Sequence, residues 1–157
     1  MAYGDDSGLT AWLAANGYTL PAGALAPAVL RQRGSAYIDG LYGQRFVGVP
    51  ADGYFQERAW PRIGACVQGR AIPPDLVPLA IEHASYAAAY QEAIKPGSLS
   101  VSASQGGALK RKKIDTIEKE YFEGSGDAVA DATLKLSAVE GLLAPFLTVS
   151  MPAVIVV

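Results

Sequence analysis

The sequence predicts a mainly α fold: a small bundle of about four helices, with a long loop, a β-hairpin near 109–122 and an extended C-terminal tail. Three observations carry this. Apolar residues recur at three- and four-residue spacing in four stretches, and proline and glycine separate those stretches. Half of the 157 residues are hydrophobic and 18% are charged, which suits a packed core and not a disordered chain. The length fits one domain, placed over 1–147, followed by a tail over 148–157.

The first helix is expected to open at Ser7, whose hydroxyl can accept an orphan amide hydrogen, with Asp5 and Asp6 favourable toward the helix dipole. Leu9, Trp12 and Leu13 share a face, and Asn16-Gly17 supplies a left-handed stop. A second helix is expected over 24–41, with Pro27 tolerable only in its first turn. Its stripe is Leu25, Val29, Ala36, Tyr37 and Leu41, widened by Leu30, while Arg31, Gln32, Arg33 and Asp39 are expected in solvent. Gly34 and Gly40 weaken it by about 1 kcal/mol each relative to alanine.

From 42 to 58 the periodicity fails, and a long loop is expected with one helical turn near 54–59. Pro61 pushes Trp60 into an extended conformation. The third helix reads from Pro73-Pro74-Asp75 to Pro96-Gly97, with Leu76, Leu79, Ala80, His83, Ala84, Ala87, Tyr90 and Ile94 as its stripe. Residues 98–108 read as a flexible or edge-strand segment. Residues 109–122 read as a helix or a hairpin. The hairpin is favoured, because a turn near Asp115-Thr116 pairs the basic run with 118–120. The last helix lies within 128–147, with Leu136, Val139, Leu142, Leu143 and Phe146 on one stripe and Pro145 at its end.

Composition excludes several function classes. The net charge of −2 argues against a globally basic nucleic-acid binder but leaves room for a local basic patch. One cysteine, Cys66, excludes an internal disulfide framework and a multi-cysteine zinc site; it reads as a small buried thiol. One histidine, His83, excludes any site that needs two and reads as a satisfied histidine on an apolar face. The first residues lack the pattern of a signal peptide, and no run of 18 apolar residues offers a membrane span. No nucleophile–base pair, phosphate loop or metal motif occurs, so no enzyme, cofactor or metal is expected.

Three features stand above this background. The run Lys110-Arg111-Lys112-Lys113 reads as a solvated face neutralised by Glu118, Glu120 and Glu123, or as phosphate contacts with Tyr121 and Phe122 near enough to stack bases. The set Tyr37, Tyr42, Arg45, Phe46, Tyr54, Phe55, Arg58, Trp60 and Arg62 reads as a small core around the loop or as an interface rich in anchor residues. The apolar tail, with Val149, Met151, Val154, Ile155, Val156 and Val157, suits the addition of a strand to a partner's sheet.

The order Tyr37-Ile-Asp39, Tyr42, Phe46-Val-Gly48, Gln56-Glu-Arg-Ala-Trp-Pro-Arg62, Ile72-Pro-Pro and Val77-Pro-Leu-Ala80 is followed by Lys110-Arg111-Lys112-Lys113-Ile114-Asp115 and Gly141-Leu-Leu-Ala-Pro-Phe-Leu147. Over about residues 3–147 it resembles the head–tail connector (adaptor) proteins of tailed bacteriophages. A set of these carries the label DnaT-like single-stranded DNA-binding protein. The resemblance implies a structural virion protein at the head–tail interface, assembled in the host cytoplasm as a homo-oligomeric ring, usually of twelve copies. It implies a portal protein above and a tail or stopper protein below, with packaged double-stranded DNA passing loosely through and no membrane. The tail would then reach the portal. Arg45, Phe46, Tyr54, Arg58, Trp60, Arg62, Lys110, Arg111, Lys112 and Lys113 would face a neighbouring subunit or the channel. The alternative is a single-stranded DNA-binding protein that uses 110–113 and Tyr121.

Overall fold

A computed structural model describes residues 1–100, 112–114, 117–119 and 134–148. Four α-helices lie among these residues: α1 (Asp6–Ala15), α2 (Pro27–Tyr42), α3 (Leu79–Ile94) and α4 (Ser137–Leu143). Between α2 and α3 two short antiparallel pairs form, β1 (Val49–Pro50) with β2 (Arg62–Ile63) and β3 (Cys66–Val67) with β4 (Arg70–Ala71). A third pair joins β5 (Lys112–Ile114) and β6 (Ile117–Lys119). The protein is mainly α, as its periodicity predicts.

The centre of the fold is the contact between α2 and α3. Gly34 allows it: a Cβ there would stand 2.3 Å from the carbonyl oxygen of Ser85 and 2.9 Å from the amide nitrogen of Ala89. Ala84, Ser85, Ala88 and Ala89 are buried, so small residues on both helices let the backbones approach. The glycine that propensity counts as a weakness is therefore required by packing. Helix α4 covers the other part of the core through Val139 and Leu143, with Leu136, Leu142 and Phe146 packed against it, the stripe that the sequence predicts. The phenol of Tyr37 donates to the carbonyl of Leu134 at 2.5 Å, which anchors the entry to α4. The chain then returns beside Arg45, where Phe46 and Leu147 form an antiparallel bridge.

The helix starts differ from expectation. Asp5, not Ser7, caps α1: its carboxylate accepts from the Gly8 amide at 2.6 Å and from the Ser7 hydroxyl at 2.6 Å. Helix α2 begins at Pro27, and Leu25, Val29 and Ala36 are exposed; the buried stripe is Leu30, Gly34, Tyr37, Ile38 and Tyr42. Helix α3 begins at Leu79 rather than Pro73, with Pro78 as an extended cap (φ −61°, ψ 139°). In a helix begun at Pro73, the ring of Pro78 would meet the carbonyl of Pro74, so the prolines precede the helix. Its buried face is Ile81, Ala84, Ser85, Ala88 and Ala89, rotated from the predicted stripe, and Leu76, Leu79 and Ile94 are exposed.

Three further corrections concern polar groups. Arg31 and Asp39 are largely covered rather than solvated. Arg31 donates to the Asp6 carboxylate at 2.7 Å and to the Gly4 carbonyl at 2.8 Å. Cys66 is an exposed thiol on β3, not a buried one. The long loop holds two single 3₁₀ turns, Gly43–Arg45 and Gly53–Phe55, the second close to the expected turn.

Candidate nucleic-acid interface

The aromatic and arginine set divides into an inner and an outer half. Phe46 and Trp60 are inner core residues, with ring centroids 5.8 Å apart in an edge-on arrangement, and Phe146 closes on Trp60 at 5.9 Å. Arg62 is buried beside them. Its Nε donates to the Val47 carbonyl at 2.8 Å and one terminal nitrogen to Ala59 at 3.0 Å. The other terminal nitrogen donates to Gly48 at 2.7 Å and Phe46 at 3.3 Å. Five fixed donors on one planar group can gather several carbonyls in this way, and a lysine could not. Burial lowers the guanidinium's affinity for its proton, and the nearby Tyr3 and Asp39 act the other way.

Arg58 works in the same layer. It donates to the Met1 carbonyl and to the carboxylates of Asp39, at 3.4 Å, and Glu57, at 3.3 Å. Asp39 also accepts from the Tyr3 phenol at 2.5 Å, and the Tyr3 oxygen accepts from the Trp60 amide at 3.2 Å. Burial holds the Asp39 carboxyl above its ordinary range, with Tyr3 and Arg58 pulling it back only in part. Burial likewise pushes the Tyr3 phenol well up. Phe46, Arg58, Trp60 and Arg62 therefore serve the fold: they tie the N-terminus, α2 and the β1–β2 pair together.

The outer half is different. Tyr54 and Phe55 are 89% and 81% exposed, with centroids 4.2 Å apart, on the turn Gly53–Phe55. The Gln56 amide fixes that turn by donating to the carbonyls of Arg58, at 2.7 Å, and Pro61, at 2.9 Å, while its oxygen accepts from the Asp52 amide. Val49 and Ile63, directly opposed in the β1–β2 register, are also exposed, at 60% and 49%. Residue types alone did not show this pair, because β-branched residues beside a proline-rich loop read equally well as core. Arg45 is exposed too, its guanidinium 6.0 Å from the Tyr42 ring centre.

Of the basic run, Lys112 and Lys113 lie on β5, where the register sets Lys113 opposite Glu118 and Lys112 opposite Lys119. The hairpin is thus formed, with one of its pairs of opposite sign and one of like sign. Lys110, Arg111, Tyr121 and the tail residues Val149, Met151, Val154, Ile155, Val156 and Val157 lie outside the described residues. Among the described residues no group of three or more His, Cys, Asp or Glu could hold a metal ion.

A family model described as "Putative DnaT-like ssDNA binding protein" matches residues 2–157. The chain belongs to this family. No curated protein and no solved structure matches it. The match meets the DnaT-like part of the resemblance seen in the sequence and carries nothing about a phage connector. In this DnaT-like chain, then, an exposed aromatic pair and a hairpin bearing cations are the two features to weigh for nucleic acid.

Proposed function

We propose that this DnaT-like chain binds single-stranded DNA through the cations at 110–113, with Tyr54 and Phe55 as a surface on which bases stack. The observation that carries this reading is the family match over 2–157. The residues support it in kind. Single-strand binding without sequence preference needs cations along the backbone and aromatic faces for the bases, each stacked base contributing about 1–3 kcal/mol. The net charge of −2 implies few phosphate contacts, and so modest and salt-sensitive affinity.

The test is fluorescence anisotropy with a labelled oligo-dT over a salt series. Contacts with three or four phosphates give a slope of log K against log salt of about −2 to −3. Replacing Lys110, Arg111, Lys112 and Lys113 with glutamine should remove both the affinity and the slope. The pair Tyr54→Ala and Phe55→Ala should weaken binding and leave the slope unchanged. Unaltered affinity in the glutamine variant overturns the reading.

One observation favours a second reading, the ring-forming head–tail connector. The exposed patch of Val49, Tyr54, Phe55 and Ile63 has Asp52 and Glu57 beside it in the chain, and Arg58 and Arg62 are committed inward. Apolar surface beside acids suits a protein partner better than phosphate. Under this reading copies form a ring on the portal, and the tail contacts the portal. Co-sedimentation with portal rings at about 150 mM salt, where weak surface attractions are largely screened, tests it. Migration in a fixed ratio supports the connector. Its absence, with oligonucleotide binding in the same buffer, leaves the first reading alone.

A further inference from the structure

Helix α3 carries apolar residues on two opposite sides. Ser85 and Ala89 press on Gly34 of α2. His83 and Ala87 lie two residues from them, about 200° around the helix, so they face away from α2. That outer side, from Leu79 through Tyr90 to Ile94, walls an open groove of about 830 Å³. Trp12 and Tyr18 also line it, with Tyr18 stacked on Tyr90 at 4.4 Å, and so does Leu142 of α4. Much of the stripe that the sequence assigns to a core therefore lies in this groove, with Leu79 and Ile94 exposed. Among the described residues that line it, Glu82 is the one carboxylate and no lysine or arginine is present. An anionic ligand such as DNA finds no cation there.

We propose that this groove receives the apolar segment 149–157 of a second copy of the chain. Chemistry, length and exit point agree. The segment Val149-Ser-Met-Pro-Ala-Val-Ile-Val-Val157 has no charged side chain and offers six sizeable apolar ones to a wall without cations. Nine extended residues span about 30 Å, enough to run the roughly 22 Å of α3 from Leu79 to Ile94. Thr148, the last described residue before the segment, is held at the end of α2. Its amide donates to the Arg45 carbonyl at 2.7 Å and its hydroxyl to the same oxygen at 3.0 Å. Helix α2 lies on the side of α3 away from the groove. A copy's own segment starts on that far side of α3, and a neighbour's is not tied to that starting point. Segment and groove are different surfaces, so the contact is heterologous and can extend from copy to copy.

The test uses full chains in which Cys66→Ser removes the exposed thiol. One tagged chain carries Ala87→Cys in the groove; a second, differently tagged chain carries Val154→Cys. Mixed and mildly oxidised, they should yield a disulfide-linked heterodimer about tenfold above a Gly40→Cys control, since docking raises the effective concentration of the segment. Sedimentation velocity should show self-association of the parent chain, lost in Ile155→Asp, a position outside the described fold. A heterodimer yield no higher than the control overturns the proposal. So does a bond that forms only within one chain when both cysteines are on it, or unchanged association of Ile155→Asp. Oligonucleotide binding is read on the same samples. Cross-linking without DNA binding removes only the functional reading above, and DNA binding without cross-linking removes only this one.

Discussion

Glu92 sits 1% exposed near the end of α3, where both burial and the helix dipole oppose a carboxylate. Three donors reverse the balance: Arg33 at 2.6 Å, the Gly97 amide at 2.9 Å and the Leu99 amide at 3.3 Å. Burial alone would raise its pKa, and the amides and the guanidinium together bring it below the ordinary glutamate value of 4.5. The consequence for stability has a definite sign. Below 4.5 the unfolded chain binds the proton more readily than the folded one, so the contribution is complete above that pH and is lost as pH falls through the lower folded value. Glu92→Gln keeps the shape and removes the charge. It should cost about 1–3 kcal/mol near neutral pH, and urea titrations should show that cost shrinking as pH falls below 4.5. A cost independent of pH would mean that the carboxylate's charge holds nothing. Sequence gave no sign of this role, because an acid in the last turn of a helix reads as a solvated residue. Arg62 stands out in the sequence only as a core or interface candidate; its actual role is hidden for a similar reason, since its partners are backbone carbonyls, which no pattern of residue types displays.

At the level of elements, α2 offers a direct comparison of two glycines in one helix. At Gly40 a Cβ would meet nothing within 4 Å, so Gly40→Ala should raise stability by close to the intrinsic difference, about 0.5–1 kcal/mol. At Gly34 the same methyl meets the backbone of α3, which cannot turn aside as a side chain could. The helices must separate, at about 1–3 kcal/mol or more, and this exceeds the propensity gain. Gly34→Ala should therefore lower the thermal midpoint while Gly40→Ala raises it, as calorimetry of the two variants would show. Two shifts of the same sign would contradict the α2–α3 packing. Propensity alone treats the two positions alike, and this marks how far the sequence can be read. Four helices and the α4 stripe follow from spacing, because each is fixed by local pattern; the pairing of 112–114 with 117–119 follows from charge instead, and only Lys113 and Glu118 of that register carry opposite charges. The rotational phase of α3 does not follow. Alanine occurs around its circumference, so the face that packs is selected by where α2 can come close. The aromatic set stayed ambiguous for the same reason, since a tyrosine's type does not say whether the backbone turns it inward, as with Tyr42 at the end of α2, or outward, as with Tyr54.

For the whole molecule, the proposed association and the proposed DNA binding act on stability through different residues. Any species that binds only the folded chain raises its apparent stability by mass action, about 1.4 kcal/mol for each tenfold excess over its dissociation constant. If segment 149–157 of one copy occupies the groove of another, the thermal midpoint should climb by a few degrees for each tenfold rise in protein concentration. In Ile155→Asp it should stay flat. Single-stranded DNA should add a separate increment that vanishes when 110–113 are glutamine. Salt distinguishes the two. Raising it from about 50 to 200 mM weakens phosphate contacts by mass action on released counterions, and it leaves burial of an uncharged segment against Trp12, Tyr90 and Leu142 almost untouched. Calorimetry over a grid of protein concentration and salt would then find a concentration dependence that survives salt and a DNA dependence that does not. A midpoint indifferent to protein concentration at every salt would leave the groove of α1, α3 and α4 without the occupant assigned to it.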